Sequence, residues 1–185
     1  MDKSQIPFLS ATDLAALIKT REVSPVEATE AYLERIPEID GKLNSYITVT
    51  GERALTDARK AEQEIITGNY RGPMHGIPIA IKDQVNTKGI LTTGGSAILK
   101  DFVPKEDATV VNKLNDAGAV LLGKLNMSEF AMAETYNHPY GTPHNPWDLG
   151  RNPGTSSSGS GAATAALPTT RFQPKLEPSA LPIQE

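Results

Sequence analysis

Lys82 closes a short apolar run, Ile77-Pro78-Ile79-Ala80-Ile81. A lysine at the end of such a run is open to desolvation, which lowers its pKa and lets the neutral amine accept a proton. The same position also suits an ordinary strand-end lysine that points into water. The second candidate is Gly154-Thr155-Ser156-Ser157-Ser158-Gly159-Ser160-Gly161, which precedes the small-residue segment Ala162-Ala163-Thr164-Ala165-Ala166-Leu167. Three consecutive serines between glycines, ahead of a helix, gather hydroxyls and free backbone N–H groups in one place. That suits holding an anion or an oxyanion, and it equally suits a flexible Gly/Ser linker. The Lys-Ser/Thr ending of a Walker loop is missing, so the run is a weak nucleotide signal.

Composition narrows the chemistry. The chain has 185 residues, 18 Lys+Arg against 22 Asp+Glu, and no cysteine. This length predicts one domain, burying about 70% of its extended surface. A net charge of −4 provides no basic excess to displace counterions, so nucleic acid is not an expected partner. The absence of cysteine removes disulfides, zinc-thiolate sites and a Cys nucleophile. His75, His138 and His144 lack ligand spacing, so neither a metal nor a cofactor is expected. No apolar run approaches the ~20 residues of a membrane helix. Asp2 and Lys3 interrupt the N-terminus, which has no apolar signal-peptide region. Together with the missing cysteine, this makes the cytoplasm the expected compartment.

These candidates need elements to position them. Ser10 and Asp13 mark a helix start ahead of Leu14, Leu17 and Ile18. Ser24-Pro25-Val26-Glu27 is a fuller capping box with Pro at the first helical position, and Pro37 is expected to end that helix. Tyr46-Ile47-Thr48-Val49 reads as a short strand, and residues 53–67 as a helix stopped by Gly68. The run before Lys82 reads as a buried strand, although Pro78 lacks the N–H that a central strand donates. Asp107 is expected to cap a helix with Val110, Val111, Leu114 and Ala117 on one face, closed by Gly118. Residues 119–122 read as another strand, followed by Gly123-Lys124, and residues 137–153 as a loop. Alternating strands and helices make the class α/β. Residues 168–185 hold four of the 14 prolines and no period, so a disordered or extended tail is expected there.

Six blocks, taken in order, resemble the amidase signature family. They are Gly-Ile-Pro-Ile-Ala-Ile-Lys-Asp (76–83), Thr92-Thr93-Gly94-Gly95-Ser96, Asp107-Ala108-Thr109-Val110-Val111, residues 123–130 (Gly-Lys-Leu-Asn-Met-Ser-Glu-Phe), Asn145-Pro146-Trp147-Asp148, and residues 153–160 (Pro-Gly-Thr-Ser-Ser-Ser-Gly-Ser). The resemblance runs over about residues 10–166. It implies a mixed β-sheet flanked by helices, of which residues 1–167 would be an incomplete N-terminal part. It also implies hydrolysis of a small-molecule amide, or transfer of its ammonia, by a Ser-Ser-Lys triad. Lys82 would be the base. Ser156 would be the bridging serine, held through a cis peptide, which relays a proton to the nucleophile and back to the leaving amine.

The pattern departs from the family after Leu167. The family's nucleophile sits a couple of dozen residues past the bridging serine, in an Asp-x-Gly-Gly-Ser segment that also supplies oxyanion N–H groups. This chain reads Arg171-Phe172-Gln173-Pro174-Lys175-Leu176-Glu177-Pro178-Ser179-Ala180 there. Ser179 lies near the expected distance, but it has no Gly pair, and Pro178 offers no N–H. The expectation is a truncated amidase without its attacking serine, inactive as it stands, with strand edges and apolar faces left uncovered. The composition change at Pro168 resembles a frameshift or an unspliced intron. One alternative is the A-type component of a tRNA-dependent amidotransferase, although Gly154-Thr155 replaces the double Gly usual there and leans toward a free amidase. Another is a non-enzymatic fragment that binds a full-length paralogue or forms a homo-oligomer. Other residues have plainer expected roles: His75 and His138 as loop residues near a pocket mouth, Trp147 as a packing anchor, and Arg151 as an ion-pair partner of Asp148.

Overall fold

The computed structural model describes residues 2–132 and 138–166. The expected tail, with Ser179, and the first residue of the expected 137–153 loop lie outside the described residues.

Two capped helices open the chain. In α1 (Ala11–Thr20), Ser10 accepts a bond from the Asp13 amide, which satisfies one of the free N–H groups of the first turn. In α2 (Pro25–Leu43) the capping box is complete: Ser24 Oγ accepts from the Glu27 amide at 3.0 Å, and Glu27 Oε2 accepts from the Ser24 amide at 2.8 Å. Pro37 does not end this helix, which continues for six residues beyond it. Proline removes one intrahelical bond, but Ile36 and Leu43, on either side, are almost fully buried, and their packing carries the helix across the gap. A buried cluster of Leu14, Ile18, Val23, Ala28 and Ile77 joins both helices to the chain entering the sheet.

Among the described residues the sheet has three strands in the order β1-β3-β2: β1 (Tyr46–Val49), β2 (Pro78–Lys82) and β3 (Val120–Leu125). β1 runs antiparallel to β3, and β2 runs parallel to it, so the sheet is mixed. Pro78 occupies the first position of an edge strand, where its missing N–H costs no ladder bond. β3 runs further than its apolar residues suggested, because Gly123 and Lys124 are both strand residues and every position in it is buried. Between β1 and β2, α3 (Gly51–Ile66) buries Ala54, Ala58, Ala61 and Ile65 on one face. A second cluster, Ile36, Ala54, Ala58, Val120 and Leu122, packs α2 and α3 onto β3.

α4 (Thr109–Asp116) leads into β3. Its N-cap is Ala108, with no side-chain bond. Asp107 does not cap it, since Oδ1 accepts from the Lys88 amide at 2.6 Å instead. Only Val111 of the predicted apolar face is buried within the helix, and Val110 is 50% exposed. Gly118 does follow its end, with φ +78°. Finally α5 (Ser158–Ala166) touches α2, β2 and β3. Among the described residues, no helix is long and apolar enough to cross a membrane. Several large apolar side chains are exposed on the loops around residues 92–103 and just after β3: Ile98, Phe102, Val103, Phe130 and Met132.

Candidate active site

The sheet brings the two sequence candidates together. Lys82 is the last residue of β2, in register with Leu125 of β3. The Gly/Ser run returns beside it on entering α5. Lys82 Nζ lies 2.7 Å from Ser156 Oγ, across 74 residues of chain. Both side chains are half-buried. Burial lowers the Lys82 pKa below the ordinary lysine range. The charged ammonium donates to the hydroxyl; the neutral amine accepts from it, which is the geometry of a base acting through an oxygen.

Ser156 is fixed by the backbone around it. The Thr155–Ser156 peptide is cis. The Ser156 carbonyl accepts from the Ser128 amide at 3.2 Å, and the Gly159 amide donates to the Asn126 carbonyl at 2.9 Å. Gly159 is required by this approach, because a Cβ on it would stand 2.5 Å from the Asn126 nitrogen. Asn126 is in turn buried and anchored, its Nδ2 donating to the carbonyls of Asn44 and Gly141, both at 2.9 Å. Of the three serines, Ser157 is exposed and Ser158 is buried. The run is therefore partly built into the protein and is not a free linker.

Sequence reasoning missed two residues beneath the site. Asp83 and Lys124 are completely buried, with Lys124 Nζ 3.4 Å from Asp83 Oδ1. A lysine inside an otherwise apolar strand was the available signal, and the early end assigned to that strand hid it.

The remaining candidates lie elsewhere or differ from expectation. His75 is a turn residue, but it does not lie beside Lys82 and Ser156. It is buried in the turn before β2, with its Nε2 3.2 Å from Glu64 Oε2, at the opposite end of the strand from Lys82. Burial lowers its pKa. A cleft of about 200 Å³ opens there, lined by Arg53, Lys60, Glu64, Arg71 and His75 among others. Two of its cations are already paired, Arg71 with Glu64 at 2.5 Å and Arg53 with Asp57 at 3.6 Å. Trp147 is 62% exposed and is not a buried anchor. Arg151 does pair with Asp148, at 2.9 Å. Among the described residues, no group of three or more His, Asp or Glu side chains could hold a metal.

Known proteins resemble this chain in both sequence and fold. The profile of a family described as Amidase matches residues 27–169. The chain is 49% identical over 159 residues to the A-type component of glutamyl-tRNA(Gln) amidotransferase from Acidothermus cellulolyticus, a match that covers 85% of this chain and 32% of the relative. Native peptide amidase from Stenotrophomonas maltophilia superposes with a TM-score of 0.79 at 37% identity, covering 85% of this chain and 34% of that one. An inhibitor-bound structure from a vestigial protein complex, described in connection with the origins of an s-triazine catabolic enzyme, superposes with a TM-score of 0.81 at 38% identity, covering 85% and 35%. The chain thus spans about a third of the length of the relatives it matches.

Proposed function

The chain belongs to the amidase family, and from that premise we propose that it carries the proton-relay part of an amide-cleaving site. Lys82 is the base and Ser156 the bridging hydroxyl. The observation that carries this reading is the 2.7 Å contact between Lys82 Nζ and Ser156 Oγ. A serine attacks an amide carbonyl only if a base removes its proton, and the leaving nitrogen must then receive one. A neutral lysine and one relaying hydroxyl serve both steps: the proton passes from the attacking hydroxyl through Ser156 Oγ to Lys82 Nζ, and returns to the departing amine as the C–N bond breaks. The attacking hydroxyl is not assigned to this chain, because residues 168–185 contain no Asp-x-Gly-Gly-Ser segment. The substrate is a small carboxylic amide, and neither metal nor cofactor enters the scheme.

The test joins residues 1–166 to the remaining two thirds of the Acidothermus relative and measures ammonia release from amides. The fusion is expected to turn over, and Lys82→Ala to reduce its rate by about 10³-fold or more. A fusion that keeps its rate without the lysine rejects the relay. The 185-residue chain alone is expected to release no ammonia and to take no fluorophosphonate label; labelling at Ser179 would place the nucleophile in the chain after all.

A second reading has its own support: the similar curated relatives are A-type components of glutamyl-tRNA(Gln) amidotransferase. In that reading the amide is glutamine, and the ammonia passes to a partner protein. Cleavage of glutamine, but of no simple aliphatic or aromatic amide, by a fusion that co-purifies with the other amidotransferase components favours this reading over a free amidase.

A further inference from the structure

The chain holds two lysines at neighbouring register positions of β2 and β3, and their environments differ. Lys82 pairs in register with Leu125, and Lys124 with Ile81. Among the described residues, Lys82 bonds Ser156 Oγ alone and is half-buried. Lys124 is wholly buried, and its Nζ meets three oxygens: Thr92 Oγ1 at 2.6 Å, the Val85 carbonyl at 2.9 Å and Asp83 Oδ1 at 3.4 Å. Two of these oxygens, on Thr92 and Val85, are hydrogen-bonded to Nζ, and the Asp83 carboxylate stands beside it at ion-pair distance; burial lowers the Lys124 pKa and Asp83 opposes that shift. Asp83 is equally enclosed. Its Oδ2 accepts from the Thr93 amide at 2.8 Å and the Thr93 hydroxyl at 2.5 Å.

Asp83 directly follows Lys82, and its own amide extends the ladder to the Leu125 carbonyl at 3.0 Å. In extended chain, successive side chains point to opposite faces. Asp83 is held on one side by Lys124 and Thr93, so Lys82 is aimed to the other. On that side, β3's exit holds Ser156 through the Ser128 amide. One stretch of chain, residues 124–128, therefore grips both partners of the relay.

Resting on the relay reading above, we propose that the buried Asp83–Lys124 pair is a positioning device that fixes the end of β2 so that Lys82 Nζ meets Ser156 Oγ. Neither residue touches the reacting atoms; they act through Lys82. Breaking one partner of a buried pair leaves an uncompensated charge, whereas neutralising both spares the fold.

The experiment uses the full 185-residue chain with 13C-labelled lysine, with the Lys82 resonance assigned by Lys82→Arg. In the wild-type chain, Ser156→Ala is expected to move the Lys82 titration midpoint, which reads their contact directly. In Asp83→Asn/Lys124→Met, with the circular dichroism melt retained, that response is expected to vanish, and the Lys82 midpoint itself to move by at least about half a unit toward the free-lysine value near 10.4. A folded double variant that still responds to Ser156→Ala in full overturns the positioning role and leaves the relay standing. No response in the wild-type chain removes the relay and this proposal together. Should the double variant fail to fold, Thr92→Val, which takes one acceptor from Lys124, carries the test. A reduced Ser156→Ala response supports the proposal, and an undiminished one overturns it.

Discussion

The backbone amide of Ser128 donates to the carbonyl of Ser156 at 3.2 Å, tying the exit of β3 to the serine run. The bond ties the Ser156 backbone to the segment that leaves β3. The three serines are therefore unequal: Ser156 is half-buried and bonded to Lys82, whereas Ser157 is exposed. In the fusion protein, Ser156→Ala is expected to lower ammonia release by about 10²–10⁴-fold, the range of a lost proton-transfer group. Ser157→Ala should leave the rate within about threefold, which is below one lost hydrogen bond. Equal losses at the two positions would contradict the assignment.

Gly159 and Gly161 offer a paired test of close packing. A Cβ at Gly159 would stand 2.5 Å from the Asn126 nitrogen, and one at Gly161 3.2 Å from the Pro153 carbonyl. Replacing a helical glycine by alanine ordinarily gains up to about 1 kcal/mol. Gly159→Ala is expected to lose about 1–3 kcal/mol instead, because backbone must move. Gly161→Ala should stay within about 1 kcal/mol of the parent. Urea denaturation of both variants reads the difference.

His75 makes stability depend on pH. Burial lowers its folded pKa below the unfolded value, against the opposing pull of Glu64. The unfolded chain therefore binds more protons in the interval between the two values. The stability contributed by neutral His75 is complete above about pH 6.5 and is lost as pH falls from there toward the folded pKa. Arg71 and Glu64 are the charged groups facing the ring; the Arg71 guanidinium holds Glu64 below its usual range, so Glu64 loses its contribution in more acid solution. His75→Gln should flatten the first part of that decline. Urea midpoints taken across the interval decide this, and an unchanged slope would count against a neutral buried imidazole.

Arg151 and Asp148 form an exposed pair, with side chains 67% and 53% accessible. Water screens such a pair, so Arg151→Ala should change stability by no more than about 1 kcal/mol. A larger loss in thermal denaturation would mean that the Asn145–Asp148 turn depends on it.

Local signals were legible in the sequence where one or two residues decide the outcome. Ser24 and Glu27 announced the start of α2, and both predicted bonds exist. The run ending at Lys82 announced β2, with Pro78 at the edge position that tolerates it. The sequence misled where distant packing overrides a local rule. Pro37 breaks a ladder bond, but burial of Ile36 and Leu43 keeps α2 intact. Asp107 has the chemistry of a cap, yet the Lys88 amide claims it across a loop. Lys124 was the largest omission, because a charged residue reads as a strand end. Its two acceptors, on Val85 and Thr92, and its ion-pair partner Asp83 are placed around it by no local pattern. The contact between Lys82 and Ser156 depended on the family resemblance, since neither spacing nor period connects positions 74 residues apart.

That separation has a consequence for assembly. β1 reaches β3 only after α3, β2 and α4 have intervened, and β2 pairs with β3 in parallel, which demands a crossover. Non-local pairings are reached late, because chain entropy is lost before contacts compensate for it. During synthesis Lys82 emerges long before its partner, so the amine waits in solvent at ordinary basicity. The burial that lowers its pKa and its contact with Ser156 both belong to the folded arrangement, with the central strand and the serine run in place.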